Sequence, residues 1–210
     1  MPAPRKFTRA RLQAAALALV DAAGLDGLTM RSLATELGTG PMTIYNYVDG
    51  RDGLEQLVTE AVMAEATWPD PSDDWRADVH AVAEGMWRAV RAHPHAIPLI
   101  LTRRSFDLTT LRPAEALVRA LARSGRSGAG LLVAFRTVSA FVTGSAQAEL
   151  AGPLSRDADA AETADRIAEL HQDQFAGLLE IAQAAAASDP ETEFAEGMRV
   201  VLVGLQEKTR

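Results

Sequence analysis

Residues suited to contacting DNA are concentrated near the start of the chain. A helix that reads the major groove must present hydroxyl and amide groups to the base edges. Cationic and hydroxyl side chains beside such a helix can bind phosphates. Pro41 and Met42 are included because they begin the helix that carries most of these groups. The residues predicted to contact DNA are Thr29, Arg31, Pro41, Met42, Thr43, Tyr45, Asn46, Tyr47 and Arg51. The chemistry open to this set is hydrogen bonding and charge pairing with a nucleic acid.

Two short predicted helices position these residues. Thr29 can cap a helix that ends at Gly38. Pro41 opens a further helix that runs to Val48, since a missing backbone N–H costs nothing in the first helical turn. Two short helices joined by a tight turn with glycine are the sequence form of a helix-turn-helix. Arg51 lies near the start of the next helix, where free N–H groups and the helix dipole favour anions.

The rest of the chain has the period of a helix. A first helix is predicted over residues 8–23, capped by Thr8 and ended by Gly24. Residues 131–145 are rich in valine and phenylalanine, but they are predicted to be helical because they lie in a long stretch without a turn signal. No segment alternates with the period of two that is typical of strands. The sequence therefore predicts an all-α fold of nine or ten helices, with a three-helix DNA-binding domain in residues 1–50, a connecting helix in 51–68 and a larger helical ligand-binding and dimerisation domain in 69–210.

Charge is divided unevenly along the chain. The formal net charge of −7 argues against a polyanionic partner. Residues 1–51, however, hold six basic and four acidic side chains, whereas the remaining residues hold 15 basic and 24 acidic ones. The weakly positive segment is the one that carries the predicted DNA contacts. Affinity for DNA is therefore expected to depend on a few placed contacts and on dimer geometry, rather than on a broad basic surface.

The sequence disfavours several functional classes. It has no cysteine, which removes disulfides, thiolate metal sites and cysteine nucleophiles. The four histidines have no spacing typical of a metal site, and no nucleophile elbow or phosphate-binding loop occurs. No metal, no other cofactor and no enzymatic activity is therefore expected. No apolar run approaches the roughly 20 residues of a membrane span and no signal segment opens the chain, so a cytoplasmic location without membrane contact is expected.

An ungapped pattern in the first quarter of the chain resembles the DNA-binding domain of the TetR family of bacterial regulators. The matching residues are the run from Leu28 to Gly38, the run from Thr43 to Val48, and then Arg51, Leu54 and Leu57. The resemblance implies that Tyr45 and Tyr47 touch DNA backbone and bases, that Arg51 clamps a phosphate, and that Thr29 and Arg31 also meet phosphates.

Two departures from the family pattern occur. Val48 stands where the family usually has phenylalanine, which affects only core packing. Asp49 and Gly50 replace a pair that is typically basic, so the resemblance does not carry over an extra phosphate contact to these two positions. The resemblance implies a homodimeric repressor that binds a pseudo-palindromic operator and is released by a small-molecule effector. The break at His93-Pro94 and the long closing helices resemble the tetracycline-repressor type of C-terminal domain.

The resemblance also implies a ligand pocket in the helices between about residues 74 and 187. Its predicted lining mixes aromatic walls with few polar groups. Arg136 is unusual among apolar neighbours; it could bind an anionic ligand, pair with an acid or extend to the rim, and an ion pair is the favoured interpretation. The predicted lining residues are Met86, Trp87, Phe106, Arg136, Ser139, Phe141, Gln147, Gln172 and Phe175.

Dimerisation is predicted through two segments, residues 135–149 and 194–205. Gly144, Gly197 and Gly204 are expected to allow close approach of helices between subunits. The predicted interface residues are Phe135, Val138, Val142, Phe194, Met198, Val201 and Leu205.

Two alternatives to a ligand-released repressor stay open at this level. The short N-terminal helices could pack without touching DNA, in which case the chain would be an all-α ligand-binding or enzymatic bundle. Within the regulators, an activator or a regulator without a ligand fits the same sequence.

Overall fold

A computed structural model describes residues 6–102, 107–151 and 175–206 of the chain. Within those ranges it contains ten α-helices, one 3₁₀ turn and no strand, which confirms the all-α prediction. The helices are α1 (Arg9–Gly27), α2 (Met30–Glu36), α3 (Pro41–Tyr45), α4 (Gly50–Glu65), α5 (Trp75–Arg91), α6 (Ile97–Thr102), α7 (Leu108–Ala122), α8 (Gly128–Ala151), α9 (Ala176–Ala187) and α10 (Pro190–Gly204).

Helix α1 is longer than predicted. The Thr8 side chain accepts a hydrogen bond from the backbone N–H of Arg11, as a cap should. Gly24 has a φ of 67°, a conformation that other residues rarely adopt, so the regular helix is interrupted at the predicted position. One more turn then forms and closes with the N–H of Leu28 on the carbonyl of Leu25. The predicted end at residue 23 is therefore a kink, and α1 extends to Gly27.

Helices α2 and α3 form the predicted pair. Thr29 caps α2 in a reciprocal arrangement with Ser32, in which each side chain accepts from the other residue's backbone N–H at 3.0 and 2.9 Å. Gly38 ends the helix in the left-handed region with a φ of 63°. Helix α3 opens at Pro41 as predicted but ends at Tyr45 and not at Val48, because the following backbone continues as turns.

The larger helical part packs around α5 and α8. Helix α5 ends at Arg91 beside the His93-Pro94 break, as predicted from the restriction that proline places on the preceding residue. Helix α8 confirms the helical assignment of residues 131–145. Residues 128–148 of α8 are the one described segment that is long and apolar enough to cross a membrane by length and composition. One face of α8 is buried in the bundle through Ala134, Val138, Val142 and Ala146.

Candidate nucleic-acid interface and ligand cavity

The surface formed by α3 and the start of α2 projects from the N-terminal helices. Ile44 is fully buried and fixes α3 on the core, while Met42 and Tyr45 on its outer side are 76% and 52% exposed. Thr43 is half-buried. This surface meets the geometric requirement for entering a groove, since its apolar face is packed and its outer face is free. The other predicted contacts on it that are exposed are Thr29, Arg31, Pro41 and Asn46.

Tyr47 is placed differently from Tyr45. Its ring is half-buried and packs against Phe7 at a centroid distance of 6.0 Å. The Tyr47 hydroxyl oxygen accepts a hydrogen bond of 3.0 Å from the backbone N–H of Phe7. The hydroxyl proton is not used in that bond, so it can still be donated to a phosphate. Tyr47 therefore anchors the segment after α3 on Phe7, and the DNA contact predicted for Tyr47 stays a prediction.

Arg51 is held by protein groups. Its guanidinium donates to the carbonyls of Leu28 at 2.6 Å and Leu25 at 2.9 Å, and its Nε lies 2.5 Å from a carboxylate oxygen of Glu55. These bonds join the start of α4 to the turn between α1 and α2. Arg51 thus positions α4 against the turn that precedes α2. The phosphate contact predicted for Arg51 stays a prediction, and it requires that a phosphate replace one of these protein acceptors.

Two basic residues outside the predicted set, Lys6 and Arg11, lie beside this surface. Lys6 Nζ and Arg11 Cζ lie 5.2 and 5.3 Å from the ring centroid of Phe7, the residue that packs on Tyr47. Within the described ranges neither cation forms an ion pair, whereas Arg9 pairs with Glu60 and Arg51 with Glu55. The excess of basic over acidic residues in residues 1–51 indicates that cations are available near the predicted DNA contacts. Only the packing of Phe7 on Tyr47 shows that Lys6 and Arg11 are the ones next to α3.

Helix α4 is tied to α1 by a buried carboxylate. Glu60 is fully buried and accepts two hydrogen bonds from Arg9, at 2.7 and 2.8 Å, one from Gln13 at 2.8 Å and one from Gln56 at 2.7 Å. A buried charge is tolerated when its lone pairs are satisfied in this way. Together with the Arg51 contacts, the network fixes α4 against the N-terminal helices at two points along its length.

His93 connects the end of α5 with α1 and α4. Its Nδ1 lies 2.9 Å from Asp21 on α1, and its Nε2 lies 3.0 Å from Glu65 at the end of α4. His95 Nδ1 lies 3.1 Å from the carbonyl oxygen of Val20. Burial of the His93 ring opposes protonation, but hydrogen bonds and charge from Glu65 and Asp21 outweigh it and raise the pKa of His93. The three residues Asp21, Glu65 and His93 are called the histidine clamp below.

Stability is expected to depend on pH through the histidine clamp. A folded-state pKa above the ordinary value of 6.5 contributes stability that is complete below that value and is lost as the pH rises through the raised pKa. The melting temperature of the wild type should therefore fall as the pH rises above the ordinary value of 6.5 and through the raised pKa of His93. A His93→Gln protein should show a smaller fall, and His80→Gln is the matched control, since His80 lies against Phe194 and outside the clamp. Equal pH dependence of the wild type and His93→Gln in thermal melts would count against the clamp.

A cavity of about 580 Å³ lies between α5, α8, α9 and α10. Trp87 and Phe194 stack with their ring centroids 4.6 Å apart, and Phe141 lies 5.3 Å from Phe194. The polar groups at the cavity are few, with Ser145, Ser188 and Glu193 among its lining residues. This cavity, here called the aromatic cavity, has the mixture of apolar walls and sparse polar groups that is typical of small-molecule sites.

The residues predicted to line a ligand pocket lie in different places. Trp87 and Phe141 line the aromatic cavity. Arg136, Gln147 and Phe175 are exposed, while Met86 and Ser139 are half-buried outside its lining. Arg136 is exposed because it lies two residues before the buried Val138, and residues two apart point to nearly opposite sides of a helix. Predicted lining residues Phe106 and Gln172 lie outside the described residues.

The residues predicted for the dimer interface lie mostly in the core of the single chain, and their role between subunits stays a prediction. Five of them are buried within a single chain, and Phe135 and Val201 are half-buried. Gly197 allows close packing inside the chain, since a Cβ there would lie 2.6 Å from the Phe141 ring. Helical periodicity marked the apolar stripe of each helix, and the bundle core uses that stripe. The five buried residues are Val138, Val142, Phe194, Met198 and Leu205.

A second apolar face of α8 and α10 is exposed. Arg126 donates to the carbonyl of Leu205, and Gly197 faces Phe141, so the two helices run antiparallel. Their exposed apolar residues therefore come to the same level of the bundle. These residues, here called the outer band, are Leu132, Val133, Val200 and Val203.

Comparison with known proteins gives concordant matches. The family described as tetracyclin repressor-like, C-terminal domain, matches residues 68–209. The HTH-type transcriptional repressor DrrR1 of Streptomyces coeruleorubidus is 31% identical over 69% of this chain, and the match spans 54% of that relative's length. Tetracycline repressor protein class A from transposon 1721 of Escherichia coli is 30% identical over 92% of the chain and 88% of that relative.

Solved structures match over nearly the whole chain. The Streptomyces coelicolor regulator SCO7222, described as a TetR, has a TM-score of 0.80 and 29% identity, over 97% of this chain and 100% of that one. The TetR family protein ActR of the same species, in complex with actinorhodin, has a TM-score of 0.78 and 27% identity, over 97% of both chains.

Proposed function

The chain belongs to the TetR family of transcriptional regulators, and from this premise we propose that it is a homodimeric repressor that binds a pseudo-palindromic operator and is released by a small-molecule effector. The named relatives are regulators and repressors and not enzymes, so an enzymatic bundle is set aside. In this proposal residues 1–50 form the DNA-binding domain, residues 51–68 the connecting helix, and residues 69–210 the ligand-binding and dimerisation domain.

The observation that carries DNA binding is the outward face of α3. Tyr45 and Met42 stand out from a helix whose inner side is locked by Ile44. The Glu60 network ties α1 to α4, and Arg51 ties the turn between α1 and α2 to the start of α4, so the N-terminal helices are fixed against α4. A rigid, exposed hydrogen-bonding surface with nearby cations is what recognition of a duplex requires.

The test of DNA binding begins with selection from a random duplex library, followed by footprinting of the selected site. We expect an inverted repeat with half-sites about one helical turn apart, because a two-fold dimer presents two α3 helices. Affinity for it should fall steeply with salt through counterion release. Failure to enrich any duplex would contradict DNA recognition, whereas enrichment together with activation of a reporter gene would favour an activator.

The aromatic cavity supports a flat, largely apolar effector. Phe141 and the buried, stacked rings of Trp87 and Phe194 form the aromatic wall, and Glu193 supplies an acidic group. ActR has been solved in complex with actinorhodin, which supports a small-molecule effector for the present chain. Release of DNA requires that the effector bind the two states of the repressor with different affinity.

Filling the aromatic cavity is expected to block ligand binding. N-phenyl-1-naphthylamine is a neutral aromatic probe whose fluorescence rises in apolar sites. Ala184 lines the cavity, so an Ala184→Trp protein should bind this probe at least about tenfold more weakly than the wild type. Ala187→Trp, on the same helix but outside the lining, is the matched control. Unchanged titration curves for Ala184→Trp would remove this cavity as the site.

Homodimerisation is supported by the outer band. Several large apolar side chains exposed at one level of two neighbouring helices are typical of an interaction site. A two-fold axis beside the band would pair α8 and α10 with their copies and cover all four residues. Gly204 has open space around the position of a Cβ, which leaves room for a neighbouring helix.

A further inference from the structure

We propose that the cleft between α7, α5 and the segment 66–72 is a second ligand site, one that takes an organic anion with a flat apolar body such as an aromatic carboxylate. The segment 66–72, which joins α4 to α5, is called the linker, and the space is called the linker cleft. Its volume is about 310 Å³. It shares no lining residue with the aromatic cavity, so the inference does not rest on the effector site proposed above.

The walls of the linker cleft are apolar. The linker contributes the ring of Trp68 with Pro69 and Pro71, and small or branched side chains of the two helices form the opposite walls. The side chains of α5 and α7 that face the linker are small, and larger side chains there would fill the cleft. The helical wall residues are Ala81, Val82, Ala116 and Ala120.

The linker is fastened at both ends of the cleft. At one end the carbonyl of Thr67 lies directly on Gly85, where any Cβ would clash with it. At the other end Asp78 accepts hydrogen bonds of 2.8 Å from the backbone N–H and from the hydroxyl of Ser72. Arg123 completes this end by donating to Asp78 and to the Ser72 carbonyl. The space is therefore held open by fixed contacts, which reduces the cost of ordering it around a ligand.

The charges at the cleft favour an anion. Three arginines and two acids lie around it. Arg123 is committed to Asp78, and Arg119 pairs with Glu115 at 2.6 Å on the surface. Arg112 is the remaining cation; its guanidinium lies 5.4 Å from the Trp68 ring centroid, and it forms no ion pair within the described part of the chain.

Arg112 and Trp68 together define the ligand class. A guanidinium binds a carboxylate through two parallel hydrogen bonds. The Trp68 indole lines the cleft with Arg112 over its ring, so the apolar body of a ligand would pack on the indole surface that Arg112 leaves uncovered. A ligand with a carboxylate joined to an aromatic ring satisfies both groups at once, whereas a small inorganic anion leaves the apolar walls uncovered.

The experiment compares 2-naphthoate with its neutral counterpart 2-naphthamide by isothermal titration calorimetry on the full chain. Naphthoate should bind at about 1 mM or tighter, and naphthamide at least about tenfold more weakly. Arg112→Gln should lower naphthoate affinity to near that of the amide. Ala116→Trp fills the cleft and should abolish binding, whereas Ala184→Trp fills the aromatic cavity and should leave it unchanged.

Three results would overturn the proposal. They are no naphthoate binding by the wild type, equal affinity for naphthoate and naphthamide, or loss of binding in Ala184→Trp with retention in Ala116→Trp. The last result would assign naphthoate to the aromatic cavity, so failure of the linker cleft is distinguishable from failure of the effector site. The comparison of the two probes on the wild type needs no variant to fold.

Discussion

Replacing Tyr45 with alanine is expected to lower affinity for the selected operator by about 100-fold or more without unfolding the protein. Each well-placed contact to a base or phosphate contributes about 1–3 kcal/mol, and a dimer loses the contact in both half-sites. The side chain is 52% exposed, and the described structure gives it no hydrogen bond or ring contact that the fold needs. The loss should therefore fall on DNA binding and not on the stability of α3.

The measurement is fluorescence anisotropy with the duplex selected by the wild type, at one fixed salt concentration. Leu108→Ala is the matched control, since Leu108 is an exposed apolar residue on α7, far along the chain from the reading helix. Circular dichroism should give the same melting curve for all three proteins. Wild-type affinity in Tyr45→Ala would show that α3 is not the reading element.

Replacing Val200 with glutamate is expected to convert the protein to a monomer. Val200 is 62% exposed on α10 and Val133 is 63% exposed on α8, at the same level of the outer band. A carboxylate buried there without a partner costs several kcal/mol, and the two-fold axis places the change in the interface twice. The dimer dissociation constant should rise by about 100-fold or more, and operator affinity should fall with it.

Sedimentation velocity over a range of protein concentrations measures this effect directly. Leu108→Glu introduces the same charge at an exposed apolar site outside the outer band and should remain dimeric. Val201→Arg is a weaker test of the interface, because Val201 is half-buried and packs on the core of its own chain. A Val200→Glu protein that stays dimeric at low concentration would exclude the outer band as the interface.

The way α4 is held bears on how a ligand signal could reach DNA. The Glu60 network and Arg51 join α4 to the reading unit, and the histidine clamp joins its last turn to the segment after α5. The linker that follows α4 forms one wall of the linker cleft. Hydrogen bonds and the chain itself therefore connect the larger helical part, through α4, with α1 and with the turn between α1 and α2.

Local signals in the sequence were sufficient for the helices of the N-terminal part. Thr8 and Thr29 cap helices because a short side-chain oxygen can accept from the first free N–H groups. Gly38 ends α2 because glycine adopts a positive φ without steric cost. These interactions span only a few residues, so the sequence reveals them. Glycine at position 24 also predicts a break in the helix, and the structure has a kink there. The sequence does not show that α1 continues after the kink to Gly27.

Only the tertiary structure shows which side of a helix packs in the core of the chain and which side is exposed. An apolar stripe on α8 or α10 is the same in sequence whether it faces the chain's own core or a second subunit, and here Val138 and Met198 face the core. Arg51 meets carbonyls 23 and 26 residues earlier, a pairing that no spacing rule contains. Periodicity and capping are properties of neighbouring residues, and they identify helices and the reading motif. Burial, ion-pair partners and cavities depend on how distant helices pack, which only the folded chain determines.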